Sequence, residues 1–161
     1  MAKILIANWK MNPATEKDAV KLAKACDATG VIICAPFPFL AAVKKSLKKA
    51  ALGAQDICYE SGGPFTGEVS GAQLKSMGVE YVIIGHSERR AHLDETDEIV
   101  AKKVAAALAA ELTPIVCVGE TLAQRDKGQT REIIDHQTRM AFSLIPVPTQ
   151  GEAKKFNVIL T

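Results

Sequence analysis

Asn8 and Lys10 follow a short apolar run near the start of the chain, and His86, Ser87 and Glu88 follow another in the middle. An ammonium attracts anions as a compact point charge. An imidazole gives and takes protons near neutral pH. Side chains alternate along a strand, so Ile4, Ile6, Asn8 and Lys10 share one face, an apolar interior giving way to a polar mouth. In the same way Val82, Ile84 and His86 share a face of a fourth strand. Val116, Val118 and Glu120 repeat the pattern on a fifth, where Gly119 leaves backbone space. Parallel α/β proteins build active sites at the carboxyl ends of such strands.

Each of these residues also has a plainer reading. Lys10 is either an anion-attracting group or a solvent-facing lysine at a strand end. His86, with Ser87 opening a helical turn behind it, is either a neutral donor to a carbonyl or a buried imidazole satisfied by backbone. The first follows because a helix amino end disfavours imidazolium. Glu88 either pairs with Lys10 or belongs to a solvated Glu-Arg-Arg face. Glu120 is a general base, an orienting group, or a buried partner of Arg89 or Lys10, with structural use favoured. His92 and His136 sit among charged or polar residues and read as surface groups.

The elements that must position these residues alternate between strand and helix. Ile4–Ala7 reads as a strand, followed by a helix from about Glu16 to Ala28. Its inner face is Ala19, Leu22, Ala23 and Cys26, and Thr15 caps it with Asp18 three residues on. Val31–Ala35 is closed by Pro36 and Pro38, and a lysine-faced helix spans about Phe39 to Ala50. A third strand lies near Leu52–Asp56, then a glycine-rich loop over Tyr59–Gly71 and a short helix around Ala72–Met77. Tyr81–Ile84 is the fourth strand. A long helix after Thr96 has Val100, Val104, Ala107 and Leu108 on one face. Pro114–Val118 is the fifth strand, Thr130 caps a helix carrying Ile133, Ile134, Gln137 and Ala141, and Phe156–Leu160 begins a sixth strand. These runs are continuously apolar, so both faces are covered, as in a parallel sheet with crossover helices. Pro146–Gly151 is the most linker-like stretch and is too short to divide the chain, which reads as one domain over 1–161.

Composition excludes other classes. Apolar residues make up 48% and the 20 basic and 18 acidic residues leave a charge of +2, no field for nucleic acid. Lys44, Lys45, Lys48 and Lys49 read as the wet side of a helix. The four cysteines have no Cys-x-x-Cys spacing, so no metal site is expected. Cys34 and Cys117 read as small buried hydrophobes. No apolar run is long enough for a membrane span and no signal peptide is present, so a cytoplasmic protein with reduced thiols is expected. The loop Gly62–Glu68 has neither a dinucleotide fingerprint nor a Walker lysine. Phe65 within it points either to docking on another subunit or to a flexible surface loop.

Taken together, the chain resembles triosephosphate isomerase. The matching segments are Ala7-Asn8-Trp9-Lys10-Met11-Asn12, Cys34-Ala35-Pro36, Gly53-Ala54-Gln55-Asp56, Phe65-Thr66-Gly67-Glu68-Val69-Ser70, Ile84-Gly85-His86-Ser87-Glu88-Arg89-Arg90 and Cys117-Val118-Gly119-Glu120-Thr121, in family order. The resemblance implies an α/β fold, an incomplete TIM (β/α)8 barrel of about five βα units plus a sixth strand. It implies interconversion of dihydroxyacetone phosphate and glyceraldehyde 3-phosphate without cofactor or metal. Asn8 and Lys10 would contact substrate, His86 would polarise the carbonyl and shuttle protons, and Glu88 and Ser87 would support them. Thr66 would enter a pocket of a partner subunit in a homodimer.

The family's catalytic glutamate lies in a Tyr-Glu-Pro sequence on the sixth strand, where this chain ends at Thr161. A barrel of ~250 residues would therefore lack its base, its lid and its last two βα units here. The expectation is a chain inactive, or nearly so, without a complementing C-terminal part. The alternative is a catalytically silent fragment or interaction module that self-associates through open sheet edges.

Overall fold

The computed structural model describes residues 3–145 and 157–161. Six strands form one sheet in chain order: β1 (Leu5–Asn8), β2 (Val31–Cys34), β3 (Ala51–Ala54), β4 (Tyr81–Ile84), β5 (Thr113–Val116) and β6 (Ile159–Leu160). All neighbours are parallel, with Asn8 beside Cys34 and Ile84 beside Val116. Parallel neighbours need crossovers. The helices between them are α1 (Glu16–Ala25), α2 (Leu40–Ser46), α3 (Gly71–Ser76), α4 (Ser87–His92), α5 (Asp97–Ala109), α6 (Leu122–Asp126) and α7 (Thr130–Ala141).

Apolar side chains cover both faces of the sheet, as the continuous runs require. Ile33, Leu52, Val82, Ile84 and Val116 pack towards the helices against Ala23, Leu40, Leu74, Val100 and Val104. The other face forms a smaller cluster of Ile32, Cys34, Ile83 and Ile115, with Ile6, Tyr81, Cys117 and Ile159 against it. Ile6 of β1 and Ile159 of β6 share that interior, so the sheet curls into an incomplete (β/α)8 barrel. Gly53 has no room for a side chain, since a Cβ there would lie 2.5 Å from the Cys34 sulfur. Burial, with the neighbouring Cys117, pushes the Cys34 thiol up to about 12. It is an apolar filler rather than a nucleophile.

Several element bounds differ from the sequence expectation. The Thr15 cap stands, with Oγ1 accepting the Asp18 N–H at 3.2 Å, but α1 stops at Ala25 and Leu22 on its expected inner face is exposed. The second helix ends at Ser46 rather than Ala50. The Asp27 carboxylate takes the backbone N–H groups of Lys48, Lys49 and Ala50 at 2.7–2.9 Å, and the chain there leaves the helix to meet it. Thr130 does not cap α7. Gln129 holds that position, and the Thr130 hydroxyl turns to Glu120. A further helix, α6, was not anticipated; Thr121 and Gln124 form its capping box. The Pro146–Gly151 stretch and Phe156 lie outside the described residues. No helix among the described residues is long and apolar enough to cross a membrane.

Candidate active site

The polar residues beyond β1 and β4 meet at one rim. Lys10 follows β1 in the left-handed region, at φ 53°, a conformation that strains any residue with a side chain. Asn8 holds it, Oδ1 accepting the Lys10 backbone N–H at 2.9 Å. Lys10 Nζ then donates to Glu88 Oε1 at 2.6 Å, so of the two readings open to Glu88 the pair with Lys10 is the one formed. Glu88 belongs to α4, which Ser87 opens and His86 caps. His86 Nδ1 accepts the Glu88 N–H at 3.3 Å, and a ring bearing one proton therefore carries it on Nε2. Glu88 Oε2 also lies 3.5 Å from Nδ1. Asn8, Lys10, Glu88 and His86 are thus linked in series.

The Lys10 hydrogen bond holds the Glu88 carboxyl below its ordinary range. Its folded value lies below its unfolded one, so the pair is intact above the ordinary glutamate value and is lost as pH falls through the lowered one. A 13C titration should find the Glu88 midpoint below that of an unpaired glutamate, and Lys10→Met should raise it. An identical midpoint in the variant would mean that the pair does not persist in solution.

The route by which His86 reaches the rim differs from the expectation. Val82 and Ile84 face the helices, so unbroken alternation would send His86 there too. Gly85, at φ 72°, breaks the alternation and turns His86 to the mouth. A Cβ on Gly85 would press on Val100 at 3.0 Å and on Arg90 Nη2 at 3.2 Å. Arg90 Nε donates to the Gly85 carbonyl at 2.9 Å, and Asp97 holds that guanidinium at 2.6 Å. Val116 and Val118 likewise face the helices. Glu120 accepts from Arg125 Nε at 2.7 Å and Thr130 Oγ1 at 3.1 Å. Of the readings open to it the structural one applies, with Arg125 rather than Arg89 or Lys10 as partner. A cavity of about 290 Å³ lies beside His86 and Ser87, reaching Arg90, Gly119 and Thr161.

Thr66 stands apart from this cluster. It is exposed on a loop whose base is closed by the Cys58 N–H donating to the Val69 carbonyl at 2.9 Å, next to a Phe65 that is 41% exposed. Among the described residues no group of three or more His, Cys, Asp or Glu is placed to hold a metal ion.

A family model described as triosephosphate isomerase matches residues 3–153. The chain belongs to the triosephosphate isomerase family. It is 46% identical over 153 residues to a triosephosphate isomerase of Herminiimonas arsenicoxydans, covering 89% of this chain and 60% of that protein. It is 47% identical over 143 residues to one from Moorella thermoacetica, covering 84% and 57% respectively. The chain spans about 60% of the length of the curated relatives it matches.

A second charged cluster, which neither strand spacing nor resemblance points to, lies beneath this rim's helices. Lys103, 4% exposed, donates to Asp56 at 2.6 Å and also to Glu95. Arg89 closes the ring on Asp56 at 2.8 Å and Glu95 at 2.6 Å. The cluster fastens α4 to α5 and to the residue two past β3. Its signal was present, because Lys103 falls three residues after Val100 and so on the apolar stripe of its helix.

Proposed function

We propose that this chain carries the substrate-gripping, electrophilic side of a triose-phosphate isomerase site. The reaction interconverts dihydroxyacetone phosphate and glyceraldehyde 3-phosphate through an enediolate, within glycolysis and gluconeogenesis. The observation that carries the reading is the 2.6 Å Lys10–Glu88 pair, with His86 bonded to the same glutamate's backbone. Moving a proton between adjacent carbons builds negative charge on oxygen, and a preorganised ammonium and N–H donor stabilise it. In this reading Asn8 and Lys10 contact substrate, and the Lys10 ammonium faces the oxygen that becomes the enediolate. His86 Nε2–H polarises the carbonyl and shuttles protons between the two oxygens. Glu88 holds Lys10, and Ser87 opens the turn behind the imidazole. No cofactor or metal takes part. The exposed Thr66 loop enters a second subunit of a cytoplasmic homodimer.

The base that removes the carbon-bound proton is not assigned to these 161 residues. Glu120 is occupied by Arg125 and Thr130, and Glu88 by Lys10. We assign it to the part of the relatives' length that these residues do not span, and the 161 residues alone should turn over at background or nearly so. The test joins them to the remaining C-terminal part of one of the relatives and follows glyceraldehyde 3-phosphate in a coupled assay. A folded, inactive joined chain overturns the reading, and efficient turnover by the 161 residues alone overturns the assignment of the base. The competing reading is a silent module that self-associates through its sheet edges. Exposure of Ile4 (56%) and Leu5 (64%) at β1 favours it. An oligomeric native mass together with an inactive joined chain would select it.

A further inference from the structure

Gln55 lies one residue past β3 and has no part in the site described so far. Its Nε2 donates to two carbonyls at once, that of Lys10 at 2.8 Å and that of Cys34 at 2.9 Å. One half-buried amide therefore ties together the chain ends beyond β1, β2 and β3. The Lys10 residue is held from both sides: Asn8 Oδ1 accepts a hydrogen bond from its N–H and Gln55 Nε2 donates one to its carbonyl. Between these two holds the backbone sits at φ 53°. A turn closed by the Asn12 N–H on the Trp9 carbonyl at 3.2 Å also spans Lys10. Non-glycine residues populate this region sparsely, so losing a hold favours return to the ordinary β or right-handed region, where the side chain leaves in another direction. No close relative of glutamine makes both bonds. Ionised glutamate has no donor, methionine has the length without the donor, and asparagine is one methylene too short to reach both strands.

We propose that Gln55 is a positioning residue of Lys10: anchored on the Cys34 carbonyl of β2, its amide holds the Lys10 carbonyl, supports the left-handed Lys10 backbone and aims the ammonium at the rim where Glu88 meets it. The importance of this for turnover rests on the reading of Lys10 as the substrate-contacting cation. The hold itself does not.

The two are separable by experiment. On the 161-residue chain, Gln55→Met and Gln55→Asn are compared with the original by NMR, the asparagine variant serving if the methionine one fails to fold. The Lys10 amide–α coupling and Cβ shift should leave the left-handed range. The Glu88 carboxyl midpoint should rise towards that of Lys10→Met, while the amide spectrum of α5 and α7 stays in place. A folded variant with unmoved Lys10 and Glu88 signals overturns the proposal. In the joined enzyme, Gln55→Met should lower kcat/KM by about 10- to 100-fold, the penalty of a misplaced group. It should add almost nothing to Lys10→Met, because both act through one ammonium. Independent, additive losses overturn it too. If Lys10→Met alone left kcat/KM untouched, the functional reading would fall, and the NMR comparison would still decide whether Gln55 holds Lys10.

Discussion

Lys103→Met should remove about 3–5 kcal/mol of folding free energy, the range for breaking a buried ion pair from one side. The ring contains two carboxylates, Asp56 and Glu95, and two cations, Lys103 and Arg89. Both carboxylates and the lysine are nearly closed to water, and one Glu95 oxygen already has no hydrogen-bond partner. Methionine keeps the length and loses the charge, so Arg89 alone must compensate two buried anions. The loss should shrink in acid. Burial already raises the Asp56 carboxyl, with Lys103 acting to lower it. Without the lysine its folded value rises further above the unfolded one. A raised folded value favours folding below the unfolded value and loses that help as pH climbs through the folded one. The variant is therefore penalised most at neutral pH. Urea unfolding at pH 7 and pH 5 measures both effects. A loss under about 1 kcal/mol at pH 7, the scale of an exposed pair, would contradict a buried ionic centre.

His86→Gln in the joined enzyme should lower kcat by about 10²–10⁴-fold, the usual contribution of a positioned proton donor. Glutamine keeps an oxygen to receive the Glu88 N–H and an amide to face the substrate, so α4 should keep its cap. It has no group that gives and retakes a proton near neutral pH. Because that exchange matters in the transition state rather than in binding, KM should change far less than kcat. Thermal melts of the variant separate lost chemistry from lost structure. A kcat within about ten-fold of the original, below the range for general acid–base loss, would remove His86 from the reaction.

Much of this architecture is legible in local signals. The Tyr81–Ile84 strand, the Thr15 cap and the start of a long helix after Thr96 depend on neighbours in sequence, and all three stand where spacing puts them. The rim cluster was legible in part: Asn8, Lys10, His86 and Glu88 follow buried strands and meet there, whereas Glu120, placed in the same way, pairs with Arg125 and Thr130 instead. What escaped depends on partners far along the chain. The second helix stops at Ser46 because Asp27, some twenty positions earlier, captures its next amides. The facing of His86 escaped because alternation assumes extended backbone, and Gly85 abandons it. Thr130 reads as a cap by type, yet its hydroxyl finds Glu120 instead. Gln55 belongs to a segment that carries the family resemblance, but nothing in its spacing tells of its two hydrogen bonds, which exist only once three strand ends have been brought side by side.

Strands that pair in chain order make the sequence of synthesis the sequence of assembly. As each βα unit leaves the ribosome, the neighbour it must lie against has already been translated, so vectorial growth closes no long loop between distant strands. The first strand is the exception. Its outer flank, where Leu5 is 64% exposed, has no earlier-made strand to lie against, so its own packing is settled last although it is translated first.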